Sequence, residues 1–316
     1  MKRLDFESPL TELYDKIDQL KALSQGGDLD LTDEIEKIEA RAVALKKDIY
    51  ANLDPSQVIQ ISRHPSRPDS LSLARLIFDS FMEIHGDRAF RDDPSIVCGI
   101  GSLKQFRVAF IGHQKGHDTK ENIHRNFGMP NPEGYRKALR VMNMAAKFKM
   151  PILTFIDTPG AYPGIEAEER GQAEAIARNL RDMMGITVPI VSIVIGEGGS
   201  GGALGIGVAN KVYMMEYGVY SVISPEGCAS ILFRDAKQSP RAAKSLKITA
   251  ADGVALGVAD GIIKEPLGGA HHDWKAVAES IKKTVSKDFQ AYSKCSVSDI
   301  LAERYSKFRG MGKFVE

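Results

Sequence analysis

Seven of the twelve residues from Gly196 to Gly207 are glycine. The β-branched apolar run 189–195 before them predicts a buried strand, and the small apolar residues 203–209 after them predict a buried helix. A strand-to-helix turn leaves the first N–H groups of the helix unpaired, at the positive end of its dipole. The stretch therefore predicts a site for an anion, or for an oxygen that becomes negative during a reaction.

A dinucleotide site is one chemistry that this pattern allows. The string Gly196-x-Gly198-x-x-Gly201 follows a predicted strand, and Glu216 stands near the end of the next strand, as in the nicotinamide-binding fingerprint. The same string arises easily in glycine-rich sequence, and here the glycines continue to Gly207. An NAD(P)-binding dehydrogenase of the Rossmann type is therefore the weaker alternative.

Ser200, in the middle of the glycines, offers nucleophilic catalysis as a second chemistry. Its neighbours form a loose G-x-S-x-G pattern after a strand, as at a nucleophile elbow. A catalytic triad would need an acid and either His271 or His272, the histidines that follow Ser200 in the sequence. A role as helix cap is the alternative for such a serine.

A hole for a negative oxygen, built from backbone alone, is the third chemistry and the one we favour. Main-chain N–H groups would hold an enolate or ureido oxygen without a catalytic side chain. His113 and Lys115, which follow another predicted strand, are candidate substrate contacts, or else an ordinary loop histidine and a solvated lysine. Four basic residues between 125 and 140 could meet phosphates or simply face solvent: Arg125, Arg136, Lys137 and Arg140.

An alternation of strands and helices positions the glycine stretch. Strands are predicted at 152–156, 190–195 and 212–215, and a helix at 166–184. Strands alternating with helices imply right-handed crossovers and a parallel sheet covered on both faces. Ligands bind beyond the carboxyl ends of such strands. We therefore expect the loop Asp157–Gly164 and the stretch Gly196–Gly207 to face one crevice.

Helical and strand patterns also cover the flanking regions. Heptad-like spacing predicts two helices, 10–20 and 35–49, joined by a turn at 24–27 into a hairpin that caps its own domain or packs on a partner subunit. Segment 54–93 predicts two helical pieces broken at His64–Pro68. The other predicted elements are strands 96–103, 107–112 and 220–223 and helices 132–149, 274–292 and 298–308. We divide the chain into a helical arm (1–53), a central domain (54–273) and C-terminal helices (274–316).

Composition excludes several classes of protein. Lys and Arg total 42 against 41 Asp and Glu, a formal charge of +1, which does not favour a nucleic-acid partner. We find neither a signal peptide nor an apolar run long enough for a bilayer, and expect a cytoplasmic protein. The cysteines, Cys98, Cys228 and Cys295, lie too far apart for a zinc ribbon, so we expect no metal in this chain.

Several short strings together resemble the carboxyltransferase alpha subunits of bacterial multisubunit acetyl-CoA carboxylase. The resemblance covers nearly the whole chain and fades after about Trp274, and its strings are specific only in combination. They are Arg63–Pro65, Gly112–Gly116, Asn126–Pro130, Pro132–Lys137, Asp157–Gly164, Gly196–Leu204 and Ser224–Ala229.

This resemblance implies an α/β fold of the crotonase-like (ClpP/crotonase) type, a superhelix of ββα units with an N-terminal helical hairpin, rather than a flat doubly wound sheet. It implies transfer of a carboxyl group from carboxybiotin to acetyl-CoA, giving malonyl-CoA in the committed step of fatty acid biosynthesis. It implies three partners: a zinc-ribbon beta subunit in an alpha2beta2 heterotetramer, a biotin carboxyl carrier protein, and a biotin carboxylase that uses the ATP. Acetyl-CoA would lie mainly on the beta subunit.

The resemblance also assigns roles within the glycine stretch. The backbone N–H groups of Gly201 and Gly202 are expected to form the oxyanion hole for the ureido oxygen of biotin. The carboxybiotin pocket is expected to include further residues of both glycine-bearing loops, namely Gly160, Ala161, Gly198, Gly199 and Ser200. A non-catalytic scaffold for a catalytic partner is the alternative outside the enzymes.

Overall fold

A mixed sheet forms the centre of the computed structural model, which describes residues 4–26 and 31–312. The strand order within this part of the chain is β1-β2-β3-β4-β5-β6-β8, with β7 beside the end of β5. Strands β1 to β3 are antiparallel and the later pairings are parallel. The strands are β1 Ser80–Ile84, β2 Ile96–Leu103, β3 Phe106–His113, β4 Ile152–Thr158, β5 Ile190–Gly199, β6 Lys211–Met215, β7 Val219–Ser221 and β8 Gly261–Ile263.

Helices cover both faces of this sheet. Along β4 and β5, alternate side chains enter two separate apolar clusters, as the two-residue period of a strand requires. Helices α6 and α8 supply one cluster, and α4 and α13 supply the other. The α-helices are α1 Ser8–Gly26, α2 Thr32–Ala51, α3 Pro55–Ser62, α4 Ser70–Ile77, α5 Thr119–His124, α6 Pro132–Lys147, α7 Ile165–Glu169, α8 Gln172–Met184, α9 Ser200–Leu204, α10 Pro225–Phe233, α11 Ser239–Leu246, α12 Ala250–Ala255, α13 Trp274–Tyr292 and α14 Val297–Arg309.

The first two helices pack against each other, as their heptad spacing predicts. Lys21 of α1 forms an ion pair with Glu39 of α2, with Nζ 2.7 Å from Oε1. Near the end of α2 the ring of Tyr50 packs edge-on against Tyr217, which joins the hairpin to the central sheet. The predicted break at 24–27 lies partly outside the described residues, and α1 extends to Gly26. No helix in the described ranges is both long and apolar enough to cross a lipid bilayer.

The parallel pairing predicted for the strands at 152–156, 190–195 and 212–215 is confirmed, and the adjacent strands 96–103 and 107–112 form the antiparallel pair β2–β3. Several predicted boundaries are wrong. The second helical piece of segment 54–93 ends at Ile77, and β1 follows. The predicted helix 166–184 is two helices, α7 and α8, because Gly171 between them has φ 84°. The predicted helix 203–209 is the short helix α9, which begins at Ser200, directly after β5 ends at Gly199, and stops at Leu204, before Gly205.

Candidate active site at the glycine-rich turn

Strands β4 and β5 bring the two glycine-bearing loops to one edge of the sheet. The strands are parallel and pair up to Thr158 and Gly198. A Cβ atom on Gly199 would overlap the carbonyl of Pro159, and one on Gly202 would lie 2.5 Å from the backbone nitrogen of Ala161. Glycine at 199 and 202 therefore allows the two backbones to touch. The prediction that the two loops meet at one edge of the sheet is confirmed.

Gly201 differs from these neighbours. A Cβ atom there would lie no closer than 3.8 Å to the Ile176 side chain, an ordinary contact distance, and the residue is half-buried. Internal packing therefore does not require glycine at this position. A ligand that approaches the backbone closely would require it.

The start of α9 directs its N–H groups away from the helix. Since α9 has only five residues, the N–H groups of Gly201 and Gly202 fall in its first turn, where no carbonyl of the helix can accept them. The Gly201 carbonyl accepts the Gly205 N–H at 2.9 Å. In a planar trans peptide the Gly202 N–H points opposite to that carbonyl, toward the beginning of α9. The turn therefore offers donors to a negative oxygen.

An apolar cavity of about 300 Å³ opens beside this turn. The described residues that line it include neither a histidine nor an acid. They are Ser200, Leu204, Gly207, Val212, Tyr220, Ser221, Val222, Leu246, Lys247, Ile248, Thr249, Gly253, Leu256, Val258, Phe308 and Met311. The cavity suits the apolar part of a small molecule.

The structure does not assemble a catalytic triad at Ser200. His271 stacks on His64, with ring centroids 3.9 Å apart, and His272 contacts Lys46 of α2, so neither histidine lines the cavity. Ser200 is not the helix cap either, because Gly199 occupies that position. Ser200 instead is an exposed first residue of α9 with φ 50°, a left-handed conformation that side chains disfavour.

A network of buried charges lies behind the same two loops. The Nζ atom of Lys115 is 2.7 Å from Oδ1 of Asp157 and 2.9 Å from Oε2 of Glu197. The Glu197 N–H also donates to Asp157 Oδ1, at 3.0 Å. Arg63 extends the network, with Nε 2.5 Å from Glu197 and Nη1 2.7 Å from Glu226. Because Asp157 begins one loop and Glu197 lies in the other, Lys115 ties the two loops together.

The network sets the ionisation of its members. Burial by itself raises the pKa of Glu197, but the charges of Lys115 and Arg63 outweigh it and lower that pKa to about 2. Burial opposes the charge of Lys115, yet the carboxylates of Asp157 and Glu197 raise its pKa above the ordinary value. Lys115 and Glu197 are therefore ionised partners at neutral pH.

The other candidate side chains have internal roles. Lys115 is committed to this network, and His113 is fully buried beside the backbone of Gly202 and Phe155. Burial lowers the pKa of His113 to about 3, so its ring is neutral.

The four basic residues of segment 125–140 all contact the loop 85–94. Arg125 donates to the Pro94 carbonyl and Arg140 to the Gly86 carbonyl, and Arg136 and Lys137 contact Asp87 and Asp92, respectively. Each of the four is therefore engaged in a contact within the protein.

Sequence reasoning missed the partners of the turn. Arg63, Tyr135 and Asn179 contact Glu197, Gly202 and Gly205, respectively, from segments distant in the sequence. An acidic residue at the end of an apolar strand, as at Asp157, was the available signal for a buried ion pair.

The described part of the chain contains no group of three or more His, Cys, Asp or Glu residues that could hold a metal ion.

Comparison with known proteins gives the family. The model of the family described as acetyl co-enzyme A carboxylase carboxyltransferase-like matches residues 3–312. The chain is 55% identical over 311 residues to the acetyl-coenzyme A carboxylase carboxyl transferase subunit alpha of Listeria monocytogenes serotype 4a, covering 98% of each chain. The chain belongs to this alpha-subunit family. The Geobacillus sp. (strain WCH70) relative is 56% identical, with 98% of this chain and 96% of the relative covered.

Solved structures of carboxyltransferases and a decarboxylase share the fold of this alpha-subunit family member. Transcarboxylase 12S matches with a TM-score of 0.59 at 18% identity, over 72% of this chain and 42% of its own. The Pseudomonas malonate decarboxylase hetero-tetramer with coenzyme A matches with a TM-score of 0.58 at 16% identity, over 73% of this chain and 91% of its own. The crotonase-like α/β fold expected from the resemblance is confirmed.

Proposed function

We propose that this chain is the carboxybiotin-binding half of an acetyl-CoA carboxylase carboxyltransferase. The observation that carries the proposal is the turn 199–202, whose N–H groups at Gly201 and Gly202 have no acceptor within α9 and lie beside an apolar cavity. Biotin has the matching chemistry, since its ureido oxygen accepts hydrogen bonds and the rest of its bicyclic ring is apolar. The product would be malonyl-CoA, used for fatty acid biosynthesis in the cytoplasm.

Carboxybiotin would supply the carboxyl group, and negative charge would develop on its ureido oxygen as that group leaves. The N–H groups of Gly201 and Gly202 donate to this oxygen and stabilise the charge. One such preorganised donor contributes on the order of 10²–10³ in rate. The ureido nitrogen that has lost the carboxyl group would take the proton from the acetyl methyl, and the methyl carbon would then bond to the carboxyl group. No protein base is needed in this scheme, which agrees with a cavity whose described lining residues include neither a histidine nor an acid.

Further residues of the two loops shape the pocket in this proposal. Gly160 and Ala161 contact Gly202 from one side, and Gly198 packs under the ring of Tyr220. Gly199, the last residue of β5, and Ser200, the first residue of α9, connect the strand to the helix. The described lining of the apolar cavity includes Ser200 but not the other four residues, which lie in or beside the turn but outside the cavity. We assign those four to the wall on the donor side of the biotin ring, and Ser200 to the cavity rather than to a nucleophile.

The remaining machinery would lie on partner chains. A zinc-ribbon beta subunit would hold acetyl-CoA and complete an alpha2beta2 heterotetramer, a carrier protein would deliver carboxybiotin, and a biotin carboxylase would consume the ATP. Exposed apolar side chains beside the cavity, those of Leu204, Val222 and Leu256, favour a protein partner at this edge. The malonate decarboxylase relative is itself a hetero-tetramer.

Co-expression with the candidate beta subunit tests the proposal. We expect a stable hetero-oligomer that carboxylates acetyl-CoA from carboxybiotin, and an isolated chain that is inactive and free of stoichiometric zinc. Full activity of the isolated chain would contradict the divided site. Saturable binding of NAD or NADP at the turn would favour a dehydrogenase. Normal activity after changes at the turn, with activity lost on deletion of 10–49, would favour a scaffold.

A further inference from the structure

Helix α9 is a weak element by its own composition. It has five residues, two of them glycine, and Gly205 and Gly207 follow directly. Glycine disfavours helix by about 1 kcal/mol per residue relative to alanine, and so short a helix has too few hydrogen bonds to sustain itself. Contacts from other elements must therefore set the direction of its peptide groups.

Tyr135 of α6 makes one of these contacts. Its hydroxyl donates to the carbonyl of Gly202 at 3.2 Å. Its ring lies under Gly205, where a Cβ atom would be 2.5 Å from Cε1. The side chain is fully buried, and burial raises the pKa of the phenol well above the ordinary value, so the group stays a donor.

Asn179 of α8 makes the second contact. Its Nδ2 group donates to the Gly205 carbonyl at 2.9 Å and to the Tyr135 carbonyl at 3.0 Å. Two buried side chains from two long helices thus hold two carbonyls at the C-terminal end of α9. Because a peptide unit is planar, these contacts also fix the N–H groups of Ala203 and Ile206. They thereby hold in place the short helix whose first turn carries the N–H groups of Gly201 and Gly202.

We infer that Tyr135 and Asn179 are positioning residues that aim the N–H groups of the turn 199–202 at the developing negative charge. The inference rests on the proposed function of this turn. Neither side chain touches the ligand in this role. Their loss lets α9 shift, and a displacement of about 1 Å costs up to roughly 10²-fold in rate.

Replacement of Tyr135 by phenylalanine tests the inference in the complex with the beta subunit. The change Tyr135→Phe keeps the ring under Gly205 and removes the hydroxyl. We expect kcat to fall roughly 10- to 100-fold with KM for the carboxyl donor nearly unchanged, because the charge develops only in the transition state. A purely structural role would instead lower the melting temperature and leave kcat of the assembled complex intact, and that result would overturn the inference.

Tyr292→Phe is the matched control. The hydroxyl of Tyr292 donates to Oε2 of Glu303 at 2.7 Å, between α13 and α14, so this variant also loses one tyrosine hydrogen bond. We expect a similar drop in melting temperature and an unchanged kcat. An equal fall in kcat in both variants would overturn the inference.

Asn179→Ala and Gly201→Val complete the experiment. If Tyr135→Phe does not assemble, an assembled Asn179→Ala complex with reduced kcat supports the inference, and one with normal kcat overturns it. If Gly201→Val is inactive while both positioning variants are normal, the inference fails and the proposed function stands. If Gly201→Val is normal too, the proposed function itself fails.

Discussion

Two regions beside the turn 199–202 have opposite chemistry. The first contains Lys115, Asp157 and Glu197, whose side chains are largely removed from solvent and in which the Lys115 ammonium contacts both carboxyl groups. The second is an apolar cavity whose lining, within the described residues, includes neither a histidine nor an acid. In our account the charges hold the two loops together, and the apolar side receives the ligand. Charge near a site thus need not mean charge in the reaction.

Removal of Lys115 should have the largest effect on stability. In Lys115→Met, Asp157 and Glu197 face each other without the ammonium between them. Breaking a buried ion pair on one side costs about 3–5 kcal/mol. Denaturant titration measures the loss, and a double variant Lys115→Met with Glu197→Gln should recover part of it. A stability equal to that of the wild type would show that the network does not hold the loops.

Gly201→Val should have the largest effect on turnover with an intact fold. The backbone has room for a side chain there, but a branched one blocks approach of a ligand to the N–H groups. We expect kcat of the assembled complex to fall on the order of 10²–10³-fold, about 3–4 kcal/mol. Gly202→Val should be at least as damaging, because it also collides with Ala161. Gel filtration confirms assembly, and near-normal turnover of Gly201→Val would contradict the account.

Low pH should reduce the contribution of the Lys115–Glu197 ion pair to the free energy of unfolding. The pKa of Glu197 is lowered to about 2 in the folded chain from an ordinary 4.5, so the folded state binds this proton less readily than the unfolded state. Its contribution to stability is complete above the unfolded pKa and is lost as pH falls from about 4.5 toward about 2. The free energy of unfolding of Glu197→Gln should depend less on pH in this window. Parallel pH profiles for variant and wild type would refute the assignment.

Ser200→Ala should have the smallest effect. The hydroxyl lines the cavity but has no base beside it, and the backbone donors are unchanged. We expect kcat of the complex to stay close to the wild-type value. Loss of nearly all activity would identify Ser200 as a nucleophile and shift the chemistry from backbone to side chain.

The part of the site that rests on local pattern could be predicted from sequence. Buried β4 and β5 follow from their apolar runs, and parallel pairing then brings Asp157–Gly164 and Gly196–Gly207 to one edge. The antiparallel pairing of β1 could not be predicted, because its five residues are all exposed or half-buried and lack a regular alternation. That weak pattern explains why the segment was assigned to a helix.

The contacts that hold the turn 199–202 in place could not be predicted from the local sequence pattern. Arg63 and Glu197 are separated by 134 positions, and Tyr135 and Gly202 by 67. Periodicity reports which face of an element is buried, but it does not report which residue from another element meets that face. For the same reason Lys115 was predicted as a substrate contact or a solvated side chain, whereas it bridges two carboxylates.

Deletion of a single backbone donor tests the central claim most directly. Glycolic acid at position 202 replaces the Gly202 N–H with an ester oxygen and leaves every side chain in place. We expect kcat of the assembled complex to fall on the order of 10²–10³-fold. The same replacement at Gly185, whose N–H donates to the Asp182 carbonyl at 3.0 Å, should leave kcat unchanged. A normal kcat for the ester at 202 would contradict the backbone oxyanion hole.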